Sequence, residues 1–151
     1  MLLFDTGLGK WLGVPGVLCI FSETCGSAMA NEHTGDVYTC DNYVYEKHKV
    51  GNIMEQSLGE IVDTPKQKKF GNDKRDALPR MCRECDYRFA CHGGCPKQRF
   101  MKTPDGEPGL NYLCQGYMMF YKHSEKVMQA MAHIYRMCRP PADIMKSRPT
   151  R

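Results

Sequence analysis

No stretch of these 151 residues approaches the ~20 apolar positions in a row that a membrane-spanning helix needs, so no membrane partner is expected. The opening residues, MLLFDTGLGKWLGVPGVLCIF, have no basic segment, no unbroken apolar run and no small-residue cleavage site, which sets aside a secretory signal. Internal repeats, low-complexity tracts and compositional breaks are also missing, and the length fits a single domain, residues 1–151, with a modest core. Charge of one sign is scarce: 21 Lys and Arg against 17 Asp and Glu leave a formal +4. Lys66, Lys68, Lys69, Lys74, Arg75, Arg80 and Arg83 do collect in one interval, the kind of patch that attracts an acidic partner or nucleic acid. Few aromatic residues interleave with them, so a nucleic-acid groove is not expected and the interval reads as a solvated helix face.

Cysteine, in contrast, is abundant. There are nine, at positions 19, 25, 40, 82, 85, 91, 95, 114 and 138. An odd number and the lack of a signal segment weigh against a disulfide scaffold, which belongs to oxidising compartments. A cytoplasmic chain with reduced or metal-bound thiols is the expectation.

Local signals divide the chain into a strand-rich part and a helical part. Between residues 25 and 53, VYTC and YVY read as short strands, and NEHTGD supplies the Asn and Gly of a hairpin loop. Ser57 with Glu60 forms a capping box, Thr64 with Pro65 starts a second short helix, and Gly71-Asn72 reads as its stop. The cysteine-rich stretch that follows is expected to be irregular, because Gly93, Gly94 and Pro96 interrupt regular elements. Leu113, Tyr117, Phe120, Val127, Met131 and Ile134 then recur at helical spacing, broken at Ser124, and predict a long amphipathic helix over 112–138, ahead of Pro140-Pro141. Its apolar stripe reads as core packing, with Cys138 extending it as a small buried hydrophobe.

The segment CRECDYRFACHGGCPKQRF places Cys82, Cys85, Cys91 and Cys95 as C-x2-C-x5-C-x3-C-P. Thiolates are soft ligands that suit zinc and iron-sulfur clusters alike. Zinc sites usually pair two Cys-x-x-Cys knuckles, and only Cys82 and Cys85 make one. The run is similar to the bacterial ferredoxin run, whose final cysteine crosses over to the other of two clusters. Glycines also suit a cluster, since its sulfurs draw backbone N–H donors that bulky side chains obstruct, and Lys97 and Arg99 offset its negative charge or are ordinary surface cations. Further back, Cys25, Gly35 and Cys40 stand as C-x9-G-x4-C, with the glycine at the hairpin turn bringing Cys40 beside Cys25.

C-x9-G-x4-C, then C-x2-C-x5-C-x3-C, then Cys114 resembles the SPASM domain that ends many radical S-adenosylmethionine enzymes. The anaerobic sulfatase-maturating enzymes are the most similar, through CGSAMANEHTGDVYTCDNYVY, VGNI, FGNDKRDALPRMCRECDYRFACHGGCPKQRF and NYLCQGY, over roughly residues 4 to 145. The resemblance implies a small, loop-rich α+β fold of hairpins, short helices and a long C-terminal helix organised around two 4Fe-4S clusters. It assigns Cys19, Cys25, Cys40 and Cys95 to the first cluster and Cys82, Cys85, Cys91 and Cys114 to the second. With every iron held by thiolate, the implied role is electron transfer. Members convert a cysteine or serine of a sulfatase to formylglycine, so the implied partners are a sulfatase polypeptide and an electron donor or acceptor such as ferredoxin or flavodoxin. Asp41 matches the family's proton acceptor; read alone, it is a turn-capping residue before Asn42.

The family cleaves S-adenosylmethionine in an N-terminal barrel, through a C-x3-C-x2-C motif. That motif does not occur here: Cys91 and Cys95 give its first interval, but Gln98 stands where the third cysteine belongs. The chain is therefore expected to lack the barrel and to be inactive alone. Two alternatives remain: the same module serving another peptide modification, such as thioether crosslinking, and a zinc-binding interaction domain.

Overall fold

The computed structural model describes residues 2–15 and 18–147. It is a mixed structure of short helices and two small sheets, closed by one long helix. Helix α1 (Leu2–Trp11) leads to a 3-10 turn at Cys19–Phe21. Strands β1 (Ala30–Asn31), β2 (Asp36–Tyr38) and β3 (Lys49–Asn52) form an antiparallel sheet in that order. Gly35, at φ 85°, makes the β1–β2 turn and leaves Cys40 just past β2, as the C-x9-G-x4-C spacing requires. YVY is not a strand. Tyr43 closes a 3-10 turn that starts at Asp41, and the third strand lies further on, where Lys49, Gly51 and Asn52 pair with β2.

Both helix starts lie where the capping residues put them. Ser57 and Glu60 exchange capping-box bonds at α2 (Leu58–Val62), and Thr64 accepts from Gln67 N–H at α3 (Pro65–Asp76). Gly71 does not stop α3 but lies inside it. A Cβ at that position would stand 2.5 Å from the carbonyl oxygen of Cys25, whose N–H donates to Gly71 O at 3.1 Å. The glycine lets a helix and a cysteine-bearing loop touch backbone to backbone. Gly71→Ala is expected to cost about 1–3 kcal/mol through overpacking, seen as a lower urea midpoint, and to displace Cys25. An unchanged midpoint would show that the loop yields freely.

The cysteine-rich stretch contains two single-turn helices, α4 (Arg80–Arg83) and α5 (Arg88–Cys91), before His92, Gly93 and Gly94 enter left-handed backbone and break regularity. A second hairpin, β4 (Met101–Lys102) and β5 (Pro108–Leu110), precedes α6 (Cys114–Arg136). The buried face of α6 is Tyr121, Ser124, Met128 and Ala132, one position out of phase with the expected stripe, and Val127 is exposed. Ser124 does not interrupt the helix, because its hydroxyl donates back to Phe120 O at 2.8 Å. Small residues hold this seam, where a count of large apolar side chains does not register them. Cys138 lies beyond the helix end with φ 57° and is exposed, so it is not a core residue.

The core gathers around Tyr121. Its ring stacks on Tyr87 at 5.8 Å and meets Phe21 and Trp11 edge-on or tilted, with Ala90 fully buried beside it. Through this ring α6 pins α5, the Cys19–Phe21 turn and α1 together, so segments that carry three different cysteines share one anchor. No helix among the described residues is long and apolar enough to cross a membrane.

Candidate metal centre

None of the nine cysteines is in a disulfide. Cys82 and Cys85 flank the end of α4, where Cys82 N–H donates to Pro79 O and Cys85 N–H to Cys82 O. Cys91 ends α5 and Cys114 opens α6, its N–H turned onto Asn111 O at 3.0 Å. These four thiols line one cavity of about 250 Å³, together with Gly93, Asn111 and Met118. Burial pushes the Cys91 thiol up to about 11; the Gly93 N–H opposes this, while Cys114, Cys82 and Cys85 reinforce it. Cys82 is likewise raised by burial, then by Cys114 and Cys85. The four therefore face one another.

The other set is built from four separate loops. Cys19 opens the 3-10 turn below Phe21, Cys25 is tied to Gly71, and Cys40 and Cys95 each stand at the extended N-terminal edge of a 3-10 turn. Burial raises the Cys25 thiol, and among its neighbours Cys95 and Cys19 raise it while Lys74 and Arg99 lower it. Tyr43 lies among the same group. Its hydroxyl is pushed up to about 12 by burial and by the thiols of Cys95, Cys25 and Cys40. Cys95 thus acts on Cys25 directly and shares the neighbour Tyr43 with Cys25 and Cys40, although Cys91 is four residues away.

Asp41 is exposed and follows Cys40 directly. Its Oδ1 accepts from Cys40 Sγ at 3.0 Å, Asn42 N–H at 3.0 Å and Asn42 Nδ2 at 3.2 Å, the turn-capping arrangement. Burial, then the bond to Asp41, raises the Cys40 thiol to about 11.

The cation-rich interval is not uniformly solvated. Lys74 is 1% exposed and donates to Cys19 O at 2.6 Å and Ile20 O at 3.2 Å. Arg83 donates to Leu78 O. Arg99 is partly buried and donates to His92, Gly93, Gly94 and Lys74 carbonyls, while Lys97 is a surface cation over the Tyr43 and Tyr45 rings. Lys74 and Tyr43 fall within the stretches that carry the family resemblance, but no spacing rule singles out either residue for this place. The one available signal for Lys74 is its place a turn after Gly71, on a helix held against Cys25.

Among the described residues, no three His, Cys, Asp or Glu side chains converge tightly enough for one metal ion. A tetrahedral zinc ion draws sulfurs to ~2.3 Å from a single centre. A four-iron cube instead spreads four thiolates over four metals around a volume, and a cavity walled by Cys82, Cys85, Cys91 and Cys114 has that form.

The SPASM family, an iron-sulfur cluster-binding domain, matches residues 23–86. The serine-type anaerobic sulfatase-maturating enzyme of Bacteroides thetaiotaomicron is 44% identical over 145 residues, 96% of this chain and 35% of that protein. The cysteine-type enzyme of Clostridium perfringens is 33% identical over 106 residues, 70% of this chain and 28% of that protein. A solved structure, native anSMEcpe with bound AdoMet, superposes with a TM-score of 0.73 at 30% identity over 86% of this chain and 35% of that one. Another, native anSMEcpe with bound AdoMet and the Cp18Cys peptide, gives the same TM-score over 86% of this chain and 36% of that one. The chain spans about a third of the length of these relatives. Its cysteine spacing, the match to the cluster-binding domain and these likenesses agree: residues 23–86 carry a SPASM iron-sulfur cluster-binding domain, and nearly the whole chain is similar to a part of the anaerobic sulfatase-maturating enzymes.

Proposed function

We propose that this chain is the auxiliary-cluster domain of an enzyme that oxidises a cysteine or serine of a sulfatase to formylglycine. Cys19, Cys25, Cys40 and Cys95 hold one 4Fe-4S cluster, and Cys82, Cys85, Cys91 and Cys114 hold a second. The observation that supports this reading is the cavity walled by Cys82, Cys85, Cys91 and Cys114, from which Cys95 is absent while it stands among the neighbours that act on Cys25. Clusters ligated by thiolate at every iron supply one-electron transfer, without an open site for substrate.

The chain's own residues supply the surroundings. Gly93 N–H faces Cys91 Sγ, and Asn42 N–H and side chain face Cys40 Sγ, donors that favour the thiolate forms. Asp41, at the exposed rim of the first set, is the proton acceptor in this reading. The substrate is a sulfatase peptide, and the electron partner is a ferredoxin or flavodoxin. Cleavage of S-adenosylmethionine belongs to a domain not contained in these 151 residues.

Anaerobic reconstitution followed by iron and acid-labile sulfide analysis tests the ligand assignment. About eight iron and eight sulfide per chain are expected. Two zinc ions and no sulfide would replace this reading with a zinc-binding interaction domain. Four iron and four sulfide would remove one of the two sets.

A further inference from the structure

Two cations, Lys74 buried and Arg99 partly buried, stand beside the thiol sets without an anion of their own. Lys74 is 1% exposed, and Arg99 runs back under the loop that joins Cys91 to Cys95. Neither forms a salt bridge among the described residues; their partners are backbone carbonyls, including Lys74 O, which accepts from Arg99 Nη1 at 2.7 Å. Burial lowers the pKa of each, and the neighbouring Arg99 charge lowers that of Lys74 further, as expected of two like charges. Buried charge of one sign is costly unless an opposite charge stands close by. The negative groups in reach are thiolates, and they are shared unequally. Lys74 is favoured by Cys25, Cys19 and Cys95, all of the first set, whereas Arg99 is favoured by Cys82 and Cys91 as well as Cys25 and Cys95.

We propose that Lys74 and Arg99 are the counter-charges of the two clusters, Arg99 placed between both and Lys74 serving the first alone. This rests on the two-cluster reading above. Neither residue is a ligand; both are positioning residues that act through charge. A four-thiolate cluster gains a further negative charge on reduction, so a fixed cation beside it favours the reduced form. The first cluster has two such cations and the second has one. Arg99 has a mechanical part as well. Its Nε and Nη2 hold His92, Gly93 and Gly94 by their carbonyls, fixing the spacer that sends Cys91 to one set and Cys95 to the other.

The test is a redox titration of the reconstituted chain followed by electron paramagnetic resonance, with Cys40→Ser and Cys114→Ser marking the first and second signals. Lys74→Met should lower the reduced-to-oxidised ratio of the first signal about tenfold at a fixed potential, equal to about 59 mV for one electron, and leave the second in place. Lys74→Arg should restore it. Arg99→Gln should lower both. A shift of both signals by Lys74→Met, or of neither, in a variant that keeps its iron overturns the proposal. Should Lys74→Met lose iron, the loss is expected to be confined to the first set, about half of the total; loss from both sets overturns it equally. Fewer than about eight iron in the parent chain would instead be a failure of the two-cluster reading, visible before any variant is made.

Discussion

Stripping the metal from this chain under reducing conditions is expected to remove at least about 100-fold of the hydrogen-exchange protection across residues 79–100, while α6 keeps its own. The expectation follows from what holds that segment. Its backbone hydrogen bonds are almost all local, from Cys82 N–H to Pro79 O through Gly94 N–H to Cys91 O, and its two helices have four residues each. Helices of one turn do not persist by themselves, because nucleation outweighs the few bonds gained. Tyr87 and Ala90 anchor α5 to Tyr121, with Cys85 and Cys91 packed against that cluster, but Cys82 and Cys95 are not part of it. Ligation of structural metal by thiolates contributes on the order of 10 kcal/mol in small domains, and that free energy is folding free energy. Full protection of 79–100 in the metal-free chain would contradict this.

The thiols add a pH term to the metal-free state. Cys91 and Cys40 are raised from 9 to about 11, chiefly by burial, so the metal-free fold favours their protonated forms. That contribution is complete below pH 9 and is lost as the pH rises towards 11. Cluster assembly requires the opposite protonation state and therefore releases protons.

The residues carrying strong local rules are readable from sequence. Ser57, Glu60, Thr64 and Gly35 act within three or four positions of themselves, and their caps and turn lie where expected. Gly71 defeats such reading because a glycine that ends a helix and one that admits a neighbouring backbone look the same until Cys25 is placed against it. The phase of α6 slips by one because Ser124 and Ala132 are buried for their small size. Lys74 reads as solvated because its partners, the Cys19 and Ile20 carbonyls, are over fifty positions away. The eight cysteines are legible as a pattern. Their proposed division into two sets separates Cys95 from Cys91 across the His92–Gly94 bend, where three successive residues have positive φ.

Asp41→Asn, in the polypeptide that joins this chain to the part that cleaves S-adenosylmethionine, is expected to lower formylglycine formation by about 10²- to 10⁴-fold, the usual contribution of a positioned general base. The substitution separates the two roles of this side chain. An asparagine carbonyl can still accept from Asn42 N–H, so the turn that positions Cys40 survives and iron content should not change. What is lost is the carboxylate. In the metal-free chain the Cys40 thiol donates to Oδ1; once Cys40 is a thiolate ligand that donor is gone, and among the described residues no hydrogen bond reaches Oδ2. Cluster assembly therefore leaves an exposed carboxylate with accepting capacity to spare at the rim of the first set, where a proton released on oxidation can be taken up. Asp41→Ala removes the cap as well and should lower both turnover and iron retention. The discriminating result is Asp41→Asn with full iron: turnover within about threefold of the parent enzyme makes Asp41 a turn cap only, because the loss of a general base is at least about 100-fold.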